Sequence, residues 1–117
     1  MKIQVQKVKV IKLQKGNIFK IISKKSKLFE KFGEIYLSEV KPHIFKGWKY
    51  HDSNTQLLTV IKGTVEFSIK KRNKTLRKIV SYPNNLYIIK IPSKTYYSFK
   101  CKSKQKSIIL NITDKVF

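Results

Sequence analysis

The sequence has few of the residues that build disulfide scaffolds, membrane spans or secretory leaders. Its one cysteine, Cys101, cannot form a disulfide within the chain, and no cysteine-rich metal motif is present. The longest apolar runs are only a few residues, which argues against a transmembrane helix. The opening segment MKIQVQKVKV carries scattered lysines and lacks the continuous apolar core of a secretory signal. We therefore expect a protein of the reducing cytoplasm.

Arginine and acidic residues are also scarce, and this affects how the formal net charge of +21 is interpreted. Only two of the 27 basic residues are arginines, Arg72 and Arg77. Proteins that read base edges or clamp phosphates usually favour arginine, because its guanidinium forms two parallel hydrogen bonds. The lysines are dispersed along the whole chain, and lysine, isoleucine and asparagine all have AT-rich codons. We expect a solvated basic surface, with nucleic-acid binding as an alternative that rests on charge alone.

What the sequence does contain is a series of short strands separated by turn residues. The 117 residues, 41% of them hydrophobic and 12% aromatic, suit one domain over 1–117 with a modest core. Strands recurring about every 8–12 residues, with no sustained 3.6-residue period, predict an all-β sandwich or barrel. The segment 3–15 is predicted as one strand with a bulge near Lys7, or as two short strands. A short strand within 17–29, followed by a loop or single helical turn, comes next. The other predicted strands are Gly33–Val40, Ile44–Tyr50, Leu57–Ile61, 65–69, 76–80, 86–91, 96–99 and 107–114.

The segment from Gly33 to Gly63 contains both histidines and the only tryptophan. Its first part, GEIYLSEV, alternates apolar and polar residues, which is typical of a half-buried strand. The polar cluster DSNTQ predicts a turn, and LLTVIKG is a strand-forming run that ends on a turn glycine. We expect any chemistry to lie on these strands.

This segment resembles a known family. GEIYLSEVKPHIFKGWKYH is similar to the dTDP-4-dehydrorhamnose 3,5-epimerases, cupins that carry a Gly-Glu-Ile-Tyr-Phe-Ser strand, a Lys-Pro-Gly turn and a Lys/Arg-Gly-x-His segment. It also resembles the sugar 3,4-ketoisomerases, which carry Arg-Gly-x-His-x-His and a glutamine five residues later, here Gln56. Downstream, YIIKIPSKTYYSFK resembles the second signature, Ile-Pro-Pro-Gly-x-x-His/Asn-Gly-Phe. The resemblance covers residues 30 to 114 and implies a cupin, a double-stranded β-helix or jelly-roll barrel.

The resemblance also implies a function. It points to proton transfer on a dTDP-4-keto-6-deoxyhexose, by 3,4-ketoisomerisation or 3,5-epimerisation, in the biosynthesis of deoxysugars and surface polysaccharides. No cofactor and no membrane partner are expected. A homodimer is expected, because relatives pair through their N-terminal strands and the regular strand MKIQVQKVKVIKL would otherwise leave an exposed β-edge.

The family positions are occupied by unusual residues. Where a metal-binding cupin has His-x-His, a glutamate and a later histidine, this chain has Lys49, His51, Gln56 and Tyr97. One ligand of four does not hold a divalent ion, so a metal-free site is expected. The first histidine of the pair removes the proton beside the keto group in the sugar-isomerising relatives, and Lys49 stands there. A lysine does this only if burial or a nearby charge, such as Lys46, lowers its pKa.

The resemblance assigns the remaining roles. Either His51 or Lys49 would take a proton from C3 of the sugar, and Tyr36 or Tyr97 would donate a hydrogen bond to the enediolate oxygen. The expected substrate-binding residues are Lys46 at the position of the diphosphate-contacting arginine, Gln56, Tyr97 and Trp48, the last either packing or stacking on a base. The position of the epimerases' acidic tyrosine falls near Leu110, which argues against standard 3,5-epimerase chemistry.

Other interpretations stay open from the sequence. The chain could be a degenerate cupin that binds a nucleotide sugar without catalysis. His51 could be a strand-end histidine satisfied by the following polar turn, Lys49 a solvated lysine, and the tyrosines barrel filling. Exchange of substrate protons with solvent distinguishes an enzyme from a binding protein.

Overall fold

The structure, a computed structural model, describes residues 3–72 and 74–116, which form strands and connecting turns. The strands are β1 (Gln4–Lys7), β2 (Lys9–Ile11), β3 (Ile18–Lys20), β4 (Glu34–Val40), β5 (Phe45–Tyr50), β6 (Gln56–Lys62), β7 (Val65–Lys71), β8 (Lys74–Ser81), β9 (Tyr87–Ile91), β10 (Tyr96–Cys101) and β11 (Ser107–Thr113). Among these residues no helix is long and apolar enough to cross a membrane. The all-β prediction is confirmed.

Two antiparallel sheets face each other. The larger has the strand order β1-β9-β6-β11-β4 and the smaller the order β5-β10-β7-β8. Alternating residues of β6, β7, β9, β10 and β11 point between the sheets and form the main core, which includes the fully buried Leu58, Phe67, Ile89, Phe99 and Ile109. Burying each such side chain contributes about 1.5–3 kcal/mol, so this layer supplies most of the driving force for folding.

The N-terminal strand divides where the alternation slips. β1 pairs with β9 at the edge of the larger sheet, and β2 pairs only with β3, in a separate hairpin. Val8 lies between β1 and β2 and is buried. The slip in the alternation near Lys7 therefore marks the boundary between two strands. The residues after β3 form loop and turns, and Leu28 packs with Val8 over the outer face of the larger sheet.

A buried lysine binds the segment between β3 and β4 to the outer face of the larger sheet. Lys90 on β9 is only 6% exposed, and its Nζ lies 2.8 Å from Glu30 Oε1. Its side chain points to the outer face, because the neighbouring Ile89 and Ile91 belong to the inner core. The ion pair thus holds the segment before β4 against the sheet.

Over most of β4 the apolar side chains face outward and the polar ones face the interior, the reverse of a usual half-buried strand. Ile35 and Leu37 face outward and are 52% and 56% exposed, whereas the alternate residues Tyr36 and Ser38 are half-buried. The predicted alternation is correct, but the polar set faces the interior. Because an inward polar face needs hydrogen-bonding partners, this strand indicates a polar site between the sheets.

Candidate active site

The segment Phe45–Tyr50 brings two lysines to the same side of β5. Lys46 pairs with Phe99 and Lys49 with Tyr97, with a register shift between those two residues of β10. Residues three apart on a regular strand face opposite ways, so the extra residue of this bulge turns both lysines inward. Both Nζ atoms lie over the Phe99 ring, at 5.9 Å and 5.1 Å from its centroid.

Gly47 makes this close packing possible. Its φ is +149°, which side chains rarely adopt, and an added Cβ would lie 2.5 Å from Ser98 Cβ on β10. Any other residue would push β5 away from β10 and move the lysines with it.

The environment of Lys49 favours the neutral amine. Burial lowers the pKa of Lys49, and the positive charge of Lys46 lowers it further. Lys46 Nζ donates a hydrogen bond to the Glu39 carbonyl oxygen at 3.2 Å. Within the described residues neither lysine has a carboxylate partner; the ion pairs there join Lys90 to Glu30 and Lys106 to Glu39.

A hydrogen-bonded cluster lies beside the lysines. His51 Nε2 is 3.1 Å from the Tyr97 hydroxyl oxygen and 3.1 Å from Gln56 Nε2. Gln56 and Tyr97 are almost wholly buried. Burial lowers the pKa of His51, and any positive charge on Lys49 lowers it further. Both effects favour the neutral imidazole.

The two tyrosines expected at the site are also close together. Burial raises the pKa of Tyr97 well above its usual value, and Tyr36 on β4 contributes to the same shift. Tyr97 therefore stays protonated and can donate a hydrogen bond. Gln56 Oε1 is buried and has no hydrogen-bond partner among the described residues, which leaves one acceptor for a ligand or water.

The structure thus brings together six of the seven expected site residues: Tyr36, Lys46, Lys49, His51, Gln56 and Tyr97. Trp48 is separate. It is 41% exposed, and Lys70 Nζ lies 4.1 Å from its ring centroid. Lys70 follows the inward-facing Ile69, so Trp48 covers the outer face of the smaller sheet. Its substrate-binding role stays a prediction that this geometry does not support.

Four further polar residues face the same space and were missed by the sequence analysis: Glu34, Ser38, Asn111 and Thr113. Glu34 and Gln56 both pair with Thr113, and Tyr36 pairs with Asn111, so these side chains line one end of the larger sheet. Asn111 Nδ2 donates to Ser38 Oγ at 3.1 Å. The sequence signal that could have identified the residues on β4 is the alternation in GEIYLSEV. It identifies them only if its polar residues, rather than its apolar ones, are assigned to the interior.

The described residues contain no group of three or more histidine, cysteine, aspartate or glutamate side chains that could hold a metal ion. An apolar cavity of about 280 Å³ lies elsewhere, between the β2–β3 hairpin and the end of β6, and Val8, Phe19 and Ile61 are among its lining residues. It is on the outer side of the larger sheet, away from the lysines.

Solved structures share this fold. Over 97% of its length the chain aligns with 76% of a dTDP sugar isomerase from Desulfovibrio desulfuricans G20, with 29% identity and a TM-score of 0.84. A sugar 3,4-ketoisomerase from Thermoanaerobacterium thermosaccharolyticum, in complex with TDP, matches 98% of this chain and 82% of its own, with 17% identity and a TM-score of 0.82. A dTDP-6-deoxy-D-glucose 3,5-epimerase from Legionella pneumophila, in complex with dTDP-4-keto-L-rhamnose, matches 98% of this chain and 68% of its own, with 13% identity and a TM-score of 0.85.

No protein-family model and no curated protein matches the chain. The structural likenesses confirm the cupin fold and the resemblance to nucleotide-sugar isomerases and epimerases that the sequence motifs predicted.

Proposed function

We propose that this protein, a single cupin domain over residues 1–117, isomerises a dTDP-linked 4-keto-6-deoxyhexose by proton transfer between C3 and C4. The observation that carries the proposal is the pair of inward lysines beside the His51–Gln56–Tyr97 cluster. It supports this function because the fold is shared with a dTDP sugar isomerase at 29% identity.

The charge of the site suits a nucleotide diphosphate. The Nζ atoms of Lys46 and Lys49 both lie over the Phe99 ring. Neither has a carboxylate partner among the described residues. An anionic ligand would satisfy an ammonium held in this way. Lys46 stands where the resemblance puts the arginine that contacts the diphosphate, so we assign the phosphate contact to Lys46.

The reaction requires a base and a hydrogen-bond donor. Substrate and product are isomers, so no atom is gained or lost. A base, His51 or Lys49, takes the proton from C3, and the C–H electron pair becomes the C3–C4 double bond while the carbonyl pair moves onto O4. The O3 hydroxyl proton then passes to O4, the pair on O3 forms the new ketone, and C4 receives the proton held by the base. Tyr36 or Tyr97 donates a hydrogen bond to the enediolate oxygen and so lowers the barrier.

Ketoisomerisation is favoured over 3,5-epimerisation. The position near which epimerases carry their tyrosine acid is occupied here by Leu110, which has no proton to donate. Its neighbours Ile109 and Asn111 are the inward-facing residues of β11, so Leu110 faces away from the site. A cupin that binds the nucleotide sugar without converting it is the second candidate, favoured by the loss of the usual histidine at Lys49.

We also propose that two copies associate. The outer face of β4 exposes Ile35 and Leu37, and the β2–β3 hairpin, which pairs with neither large sheet, exposes Val10 and Phe19. An isolated hairpin is marginally stable, and exposed apolar residues on each of these two elements mark contact surfaces. Sedimentation at micromolar concentration should give a dimer, which L37K converts to a monomer. The matched control is L76K on the smaller sheet, and a wild-type monomer would refute the association.

Proton exchange in D₂O tests the function. A dehydratase makes dTDP-4-keto-6-deoxyglucose in situ, the protein is added, and NMR follows H3, H4 and H5. Loss of the C4 ketone with a new C3 ketone would establish the ketoisomerase, and deuterium at C3 and C5 would indicate an epimerase instead. A protein that binds dTDP but exchanges nothing at high concentration is a binding cupin. K78M, which removes an exposed lysine of β8, is the matched control for K49M.

A further inference from the structure

The contacts of His51 determine which ring nitrogen carries its proton. Gln56 presents its amide nitrogen to His51 Nε2 at 3.1 Å, and an amide nitrogen donates hydrogen bonds but accepts none. His51 Nε2 must therefore be the acceptor, which places the proton of the neutral ring on Nδ1. The Tyr97 hydroxyl reaches the same Nε2 at 3.1 Å, so its hydrogen also points toward the imidazole.

We propose that His51 is a positioning residue fixed in the Nδ1–H form by Gln56, and that Lys49 alone is the base that moves the carbon-bound proton. The proposal rests on the proposed function. The resemblance allowed either His51 or Lys49 to be the base, and the proposal assigns that role to Lys49 and a positioning role to His51.

The geometry separates the two roles. The single lone pair of His51 Nε2 is shared between the Gln56 amide and the Tyr97 hydroxyl, and Nδ1 holds the proton, so the neutral ring presents no unengaged lone pair to a carbon-bound proton. Lys49 pairs directly with Tyr97 across neighbouring strands, which places its amine beside the cluster. Burial and Lys46 both favour the neutral amine that a base requires.

The orientation of Tyr97 follows from the same contacts. With its hydrogen directed to His51, the phenol oxygen presents lone pairs to the space beside Lys49, where it can accept a hydrogen bond from a sugar hydroxyl. Tyr97 then has no hydrogen left for the enediolate oxygen, so of the two tyrosines Tyr36 is the donor to that oxygen. In the reaction, the proton leaves C3 for Lys49 Nζ, and the same nitrogen returns it to C4. His51 holds Tyr97 in place throughout and exchanges no proton with the sugar.

The tautomer of His51 can be read directly by NMR. The chain has two histidines, so the ¹⁵N-histidine spectrum of the whole protein contains two imidazoles, and the exposed His43 is the internal reference. We expect His51 to show a protonated Nδ1 and an unprotonated Nε2. In Q56E, whose carboxylate can only accept, the proton should move to Nε2. In Q56M the preference for Nδ1–H should weaken. An Nε2–H ring in the wild type, or a tautomer that Q56E leaves unchanged, would overturn the positioning role.

The base is tested by C3 exchange with dTDP-4-keto-6-deoxyglucose. K49M should lose about 100-fold or more of the exchange rate, the usual contribution of a positioned base. H51N should keep measurable exchange, with a pH profile like that of the wild type. The opposite pattern, with exchange lost in H51N and kept in K49M, refutes the assignment. A wild-type protein without exchange refutes the proposed function and the base role together, while the tautomer result decides the positioning role independently.

Discussion

Replacing Gly47 with alanine tests whether β5 lies too close to β10 to accept a side chain at this position. The new Cβ would lie 2.5 Å from Ser98 Cβ and 2.9 Å from Ser98 Cα, and the second of these is backbone that cannot rotate away. Overpacking of this kind costs about 1–3 kcal/mol. The φ of +149° adds a backbone penalty of about 1–3 kcal/mol for any residue but glycine. We therefore expect a loss of about 2–6 kcal/mol in the free energy of unfolding.

The chain contains a matched control for the packing contribution. Gly16 has a similar φ of +138°, but an added Cβ there has nothing within 4 Å. G16A therefore carries the backbone penalty alone, and the difference between the two variants isolates the clash with Ser98. Urea unfolding followed by far-ultraviolet circular dichroism measures both. A difference below about 0.5 kcal/mol, the usual effect of a surface substitution, would refute the packing argument.

Three other perturbations follow from the buried charges. K49H should shift the rise of the C3 exchange rate to lower pH, because an imidazole loses its proton near 6.5 and an amine near 10.4; an unchanged pH profile would rule out a base at this position. E30Q should cost about 1–3 kcal/mol, because it leaves the buried Lys90 ammonium without its carboxylate. K90M removes both the charge and its need for a partner and should be nearly neutral in urea unfolding, so equal losses in the two variants would contradict the ion-pair argument. The lowered pKa of His51 means that the unfolded chain binds more protons just below pH 6.5, so stability should fall as the solution is acidified through that range. H51N should weaken this dependence relative to H43N, and equal pH curves for the two variants would show that His51 is not its source.

Most of the strand layout follows from local sequence. Alternating residues and turn signals such as Pro83 and Pro92 predict strands close to those observed, because each strand packs one face against a core. What alternation cannot decide is which face is buried. For β4 the usual assumption of apolar inside and polar outside is wrong, since Ile35 and Leu37 face outward. A polar interior is a property of the assembled barrel, and a single strand does not carry that information.

The candidate site was predicted as a set of residues rather than as an arrangement. The motif resemblance named Lys49, His51, Gln56 and Tyr97, and the structure gathers them. The spacing of Lys46 and Lys49 places them on opposite faces of a regular strand, and only the register shift against β10 brings both inward. That shift depends on contacts between strands distant in sequence, so it could not be predicted from the segment itself.

The strand order of the larger sheet also determines when the protein can be assembled. β11 lies between β6 and β4 and is, among the strands that the structure describes, the one hydrogen-bonded neighbour of β4, yet it is synthesised after both. On the ribosome β4 therefore waits without a partner while six further strands are made, with Ile35 and Leu37 on a strand whose two edges are both open. Unpaired edges with apolar side chains favour aggregation. The larger sheet is complete only when residues 107–113 have emerged, so strand pairing cannot cover the edges of β4 before that point.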